Sequence, residues 1–178
     1  MNSLERWNYA ADILMKQEGG LTDDKVDPGG ITNYGISLRY LKSIGEDIDG
    51  DGDVDADDIR ALTSNQAREI YRTRWWDAQR YNEIEDIDIA AKMLSLGVNM
   101  GAGRANKLLQ QAINRLNDNP IQVDGILGKN TLKAANSENV LTLLDEIKLN
   151  AAHYYMNLVW NNRKFEKYLL GWMRRAFD

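Results

Sequence analysis

A mainly α-helical fold with a small hairpin or loop near its N-terminal helix is predicted from two features of the 178-residue chain. Apolar residues recur at alternating spacings of three and four over most of its length, whereas strand-like alternating runs are short and few. Only two prolines, Pro28 and Pro120, are present, and neither lies in linker-like composition.

The elements follow in order. Leu4, Trp7, Ala11, Leu14 and Glu18 share one face of a first helix, capped by Asn2 or Ser3 and ended by Gly19 and Gly20. Loop chemistry runs from Leu21 to about Thr32, and "ITNYGI" reads as part of a small hairpin. "SLRYLKSIG" is a second helix stopped by Gly45, and "TSNQAREIYRTRWW" a third opened by Thr63 and Gln66 in capping-box spacing. "IDIAAKMLSLGV" and "GRANKLLQQAINRL" predict two more, the second with Ala105, Leu108, Leu109, Ala112, Ile113 and Leu116 on one face. "NVLTLLDEIKLNAAHYYMNLVWNN" predicts a long helix and "FEKYLLGWMRRAF" a final one.

Composition excludes several classes. Without cysteine there are no disulfides or thiolate metal sites, and with His153 as the single histidine a multi-histidine zinc hydrolase is not expected. No stretch reaches the roughly 20 apolar residues of a membrane span, so membrane insertion is not expected. The start "MNSLERWNYAADILMKQ" lacks the basic end and unbroken apolar run of a signal peptide, so action outside the cytoplasm requires release by another system. The net charge of -5 conceals an asymmetry: residues 47–58 hold seven aspartates and no Lys or Arg, while residues 104–178 carry eleven Lys/Arg against seven Asp/Glu. The C-terminal part is therefore suited to lie against an anionic polymer.

The segment "DIDGDGDVDADD" fits a calcium loop in frame. Asp47, Asp49 and Asp51 take the first, third and fifth positions, Gly52 the sixth, Val54 the eighth and Asp58 the twelfth, with Asp53 a further oxygen donor. Aspartate in place of a longer bidentate glutamate at the twelfth position resembles the dockerin version of an EF-hand-like loop. Such a loop would hold Ca2+ structurally, offering no open position for catalysis; the alternative is a solvated acidic turn.

Glu18 is a carboxyl at the edge of an apolar stripe, where burial disfavours charge and favours the protonated form that a general acid needs. Glycosidases pair such a group with a second carboxylate that stays ionised. Asp27 stands nine residues on in a polar, Gly-rich loop, followed by Thr32, whose hydroxyl is able to orient water. This Glu, Asp, Thr arrangement resembles that of phage-type lysozymes (endolysins). Together with "QEGG", "DPGGITNYGIS", "REIYRTRWWD" and "GVNMGAGRANKLLQ", it resembles the N-acetylmuramidases of glycoside hydrolase family 108, whose members are also known as secretion activators. "VDGILGKNTL" and the terminal "FEKYLLGWMRRAF" resemble the peptidoglycan-binding segment that follows in that family.

The resemblance implies a lysozyme-like helical fold. Residues 1–103 would form the catalytic region with its loop at 47–58, and residues 104–178 a helical peptidoglycan-binding-like region packed on it. It implies a peptidoglycan hydrolase acting at the cell wall, with peptidoglycan rather than nucleic acid as its partner, no cofactor in catalysis and Glu18 as general acid. Asp27 and Thr32 follow with a gap one residue shorter than in phage-type lysozymes, and the aspartate loop departs from the family pattern.

Alternatives stand beside each reading. Glu18 could be a helix-terminal residue paired with Arg74 or Lys16, Asp27 a loop cap, and Thr32 a hydroxyl satisfying loop backbone. Tyr34, Trp75 and Trp76 form a sugar-stacking wall unless they pack in the core, and Asn99 either binds substrate amides or caps the next helix. His153 reads as a surface or core residue, and "VDGILGKNT" equally as a structural corner. For the whole chain the alternatives are a lytic transglycosylase and a non-catalytic, calcium-stabilised wall-binding module.

Overall fold

The computed structural model describes residues 1–22 and 30–178. Asp27, one of the residues expected to carry chemistry, lies outside the described residues.

Helix α1 (Ser3–Gln17) opens with a capping box in which the Asn2 side chain accepts from the Glu5 amide and the Glu5 side chain from the Asn2 amide. Trp7, Ala10, Ala11 and Leu14 bury its inner face. Leu4, expected on that face, is 58% exposed. The hairpin is present as β1 (Thr32–Asn33) and β2 (Ile36–Ser37), with Thr32 opposite Ser37 and Asn33 opposite Ile36. Thr22 extends it by an antiparallel bridge to Thr32.

Helix α2 (Leu38–Ile44) ends at Gly45 in the left-handed conformation, as the sequence predicts. Short helix α3 (Ala56–Ala61) follows the aspartate loop, and the buried Asn33 amide donates to the carbonyls of Ile59 and Leu62, tying hairpin to helix. The Thr63–Gln66 capping box opens α4 (Ser64–Tyr71). The expected continuation to Trp76 is instead a π-helical turn over Arg72–Asp77. This turn sends neighbouring tryptophans to different surroundings: Trp76 packs on Trp7 at a centroid distance of 5.8 Å, Trp75 on Tyr40 at 5.2 Å and on Tyr71 at 5.5 Å.

Helix α5 (Ile87–Met100) is the axle, buried continuously from Ile89 to Gly97. A helix apolar on nearly every side must be surrounded, and α1, α6 (Ala102–Leu116), α8 (Val140–Asn161) and α9 (Leu169–Phe177) all pack on it. Helix α7 (Lys129–Ser137) was not expected; its apolar contacts, Leu132 and Ala135, are too few to stand out as a periodic face. One continuous core runs from Trp7 to Ala176, so residues 104–178 share the hydrophobic interior of residues 1–103.

Candidate active site

Glu18 caps the C-terminal end of α1, its amide donating to the Leu14 carbonyl. Three elements meet its side chain. The hairpin turn comes from one direction: a β-carbon placed on Gly35 would stand 2.4 Å from Glu18 Oε2 and 2.6 Å from the Tyr71 hydroxyl. Gly35 has φ +77°, so glycine serves there both for its backbone conformation and for its missing side chain. From α4, the buried Tyr71 donates its hydroxyl to the Tyr34 carbonyl at 2.9 Å, which pins the turn beside the carboxyl. Burial first, and then the Glu18 charge, push the Tyr71 phenol well above its ordinary value, so it stays a donor.

The third element is α9. Arg175 Nη1 stands 2.9 Å from Glu18 Oε1, with both side chains largely buried. The contact is one of charge, because Glu18 Oε1 finds no hydrogen bond among the described residues. Glu18 is thus a helix-terminal residue with a basic partner, as the structural alternative had it, but the partner is Arg175 rather than Arg74 or Lys16. Nothing in local spacing marks it, since 157 positions separate the two residues. Gln17 and Ser95 complete the setting: Arg175 Nη1 donates to Gln17 Oε1 at 3.1 Å and to Ser95 Oγ at 3.3 Å, and Ser95 Oγ donates to Gln17 Oε1 at 2.5 Å.

A hollow of about 430 Å³ is lined by Asp12, Met15, Gly19, Gly20, Tyr34 and Arg68 among others, which include the residue next to Glu18 but not Glu18 itself. A slightly larger one of about 470 Å³, between Glu46–Ile48 and α4, touches none of the residues that surround Glu18. The first of these includes Gly19 and the hairpin-turn residue Tyr34 in its lining, and so lies nearer to Glu18.

The other expected residues fall as follows. Thr32 donates its hydroxyl to the Gly30 carbonyl at 3.2 Å, which is the backbone-satisfying alternative. Tyr34 lies in the turn with φ +49° and lines the hollow. Trp76 is 2% exposed, which corrects the expectation that it faces substrate: the inward side of the π turn takes it into the core against Trp7. Its half-buried neighbour Trp75 is the more accessible ring. Asn99 does not cap α6, whose cap is Gly101; its Oδ1 accepts from the Tyr155 hydroxyl at 2.8 Å. His153 is exposed on α8.

The "VDGILGKNT" segment is built as a corner. Asp124 Oδ1 accepts from Gln110 Nε2 and the Ile126 amide, each at 2.8 Å, while buried Asn106 donates to the Gly125 carbonyl at 3.0 Å. Asn106 also accepts from the Tyr81 hydroxyl at 3.0 Å. Replacing Asn106 by Leu strands both partners, so thermal unfolding should show a loss of about 1–3 kcal/mol. An unchanged melting temperature would disprove that account of the corner.

In the aspartate loop, carboxylate oxygens of Asp47, Asp49 and Asp58 lie within 4.8 Å of one another, as do those of Asp53, Asp55 and Asp58. Asp51 belongs to neither group; its Oδ1 accepts from the Asp53 amide. Asp58 is 1% exposed. Burial works against its ionisation, but amides of Asp55, Ile48 and Asp49 outweigh this and hold it below the ordinary carboxylate value. Asp49, chiefly through desolvation, and Asp53, chiefly through the Asp51 charge, are pushed up.

The chain is similar to known proteins in sequence and in fold. The family described as Glycosyl hydrolase 108 matches residues 11–101, and the family described as Predicted Peptidoglycan domain matches residues 104–177. Among solved structures, the chain is similar to one titled "Structure of Brucella abortus SagA", with a TM-score of 0.76 and 24% identity over 96% of this chain and 88% of that one. That likeness concerns the fold, which is mainly α and lysozyme-like. No curated protein matches the sequence. The first family makes the chain a glycoside hydrolase, and the second makes peptidoglycan its partner and the cell wall its place of action. No helix among the described residues is long and apolar enough to cross a membrane. With half of its length matched, the chain belongs to the glycosyl hydrolase 108 family.

Proposed function

We propose that this protein is an N-acetylmuramidase that hydrolyses the β-1,4 bond between N-acetylmuramic acid and N-acetylglucosamine, with Glu18 as general acid. The observation that carries the reading is the setting of Glu18: a largely buried carboxyl held between the Gly35 turn and Arg175, with the adjacent Gly19 and the turn residue Tyr34 lining a hollow. A carboxyl gripped from two sides at the end of a helix is held in one place, as a group that must hand a proton to a bound sugar has to be. Glu18 would protonate the glycosidic oxygen as the C–O bond breaks. Asp27, nine residues on, would activate water on the opposite face of the sugar. Thr32, committed to Gly30, would then act by holding the loop.

Mass spectrometry of the fragments released from purified peptidoglycan tests this. Reducing N-acetylmuramic acid ends are expected. Anhydro-muramic ends would replace hydrolysis by lytic transglycosylation, which needs a single acid. Binding to insoluble wall with no soluble fragments would leave a non-catalytic module.

The same proposal includes structural Ca2+ in the 47–58 loop, supported by the in-frame spacing and by the convergence of Asp47, Asp49 and Asp58. Asp49, chiefly through desolvation, and Asp53, chiefly through the Asp51 charge, have raised values, so the cost of ionising them in the folded loop is absent at low pH and is incurred as pH rises through those values. Asp58 has the opposite sign: its amide bonds stabilise the fold above the ordinary value of 3.8 and are lost as pH falls through its depressed one. Calcium at about 100 times its dissociation constant should add about 2.7 kcal/mol near pH 7, a rise of several degrees in melting temperature. The gain should fade as the carboxylates protonate on acidification towards about pH 4. Identical melting curves in calcium and in chelator at pH 7 would eliminate the metal.

A further inference from the structure

The sequence makes Lys92 an oddity: a lysine in the middle of "IDIAAKMLSLGV", the most apolar helix of the chain. The structure buries it to 6% exposure, between Ala91 and Met93 on the axle α5. A methionine would fill that volume without the cost of desolvating an ammonium. Burial does press on the group, drawing it from an ordinary 10.5 down to about 8. Lys148 and Arg175 add like charge and Asp178 opposes them; Tyr9 and Asp88, bonded to each other at 2.7 Å, line the same cavity of about 250 Å³.

The bonds of Lys92 show what it holds. Its Nζ donates to the carbonyls of Arg175 at 3.0 Å and Ala176 at 3.4 Å, and Lys148 Nζ donates to that of Phe177 at 2.7 Å. These carbonyls belong to the last turn of α9, whose acceptors have no partners within the helix and carry its negative dipole end. Two ammonium groups satisfy them. A nine-residue helix is marginal on its own, so its end is placed by what it docks against. The residue whose carbonyl Lys92 grips is the one whose guanidinium touches Glu18. Ser95, one turn along α5 from Lys92, receives the same guanidinium. The backbone and side chain of Arg175 are therefore both fastened to α5, with Glu18 at the far side of the guanidinium.

We propose that Lys92 is a positioning residue for Glu18, acting through α9: by gripping the last turn it sets Arg175, and Arg175 holds the carboxyl in place against the Gly35 turn. A helix of the peptidoglycan-binding region thereby becomes part of the support of the acid in the glycosidase region. This rests on the reading of Glu18 as the general acid.

The test uses the full chain and soluble peptidoglycan fragments. Lys92→Met is expected to lower kcat about tenfold or more, with KM little changed, because misplacement of a reacting group is costly while substrate contacts remain. Its melting temperature should change little, since relief of the desolvated charge offsets the two carbonyls left without their donor. Hydrogen exchange of the 169–177 amides should accelerate. Lys92→Arg should restore most of the turnover. In an Arg175→Ala background, Lys92→Met should have no further effect, because its route to Glu18 is already cut. The inference is overturned if Lys92→Met turns over like wild type, if its loss multiplies with that of Arg175→Ala, if the loss lies in KM or tracks a lowered melting temperature, or if 169–177 exchanges unchanged. Wild-type protein that releases no fragments would instead remove the reaction itself, and the positioning role with it.

Discussion

Glu18→Gln is expected to abolish fragment release from purified peptidoglycan while leaving the fold intact. The amide keeps the shape of the carboxyl, and the hairpin turn, the Tyr71 hydroxyl and Arg175 still surround it. What disappears is the proton for the departing sugar oxygen, a contribution on the order of 10²–10⁴-fold. Removing the negative charge also leaves Arg175 in a largely buried place with Gln17 and Ser95 alone. Arg175 retains those hydrogen bonds but loses its counter-charge, so the melting temperature should fall by several degrees while the transition stays cooperative. Reducing-end assays and a thermal melt on the same preparation separate the two effects. Wild-type lysis by the variant would remove Glu18 from the chemistry, and a collapsed melting curve would return it to a structural role.

Gly35→Ala should be nearly as damaging, for a different reason. At φ +77° a residue with a β-carbon is strained by roughly 1–2 kcal/mol before any contact is counted. The added carbon would also stand 2.4 Å from Glu18 Oε2 and 2.6 Å from the Tyr71 hydroxyl, far inside contact distance. Either the turn lifts, breaking the Tyr71 bond to the Tyr34 carbonyl, or Glu18 swings away. Either outcome breaks the contact that holds the candidate acid against the turn, so activity should fall about 10²-fold, a loss well beyond that from instability. The melting temperature should drop by several degrees, about 2–4 °C per kcal/mol for a chain of this size. Full activity in this variant would mean that the turn yields freely and that Glu18 is not held by it.

Local chemistry was a reliable guide wherever a few adjacent residues settle the outcome. Gly45 stopping α2, the Thr63 capping box and the hairpin at "ITNYGI" all follow from side-chain-to-backbone bonds or backbone conformations that span no more than about four residues. The spacing of the aspartates is of the same kind. Trp76 shows where this reach ends: periodicity brings both tryptophans to the end of α4, but the π turn that separates them depends on Trp7 and Tyr40 in other helices.

Glu18 was legible as a carboxyl on an apolar stripe, and so as a candidate acid, because both features lie on α1 and its C-cap. Its counter-charge was not, because Arg175 reaches it only after α5 has been enclosed by α1, α8 and α9. From residue order alone, the candidate acid, the helical class and the acidic loop are determined, since each depends on interactions within one or two turns of chain. Which ring is buried, which cation faces the acid and why a lysine sits in the axle were decided by tertiary packing. Desolvation and charge pairing depend on neighbours in space, and residue order does not specify those neighbours until the core has closed.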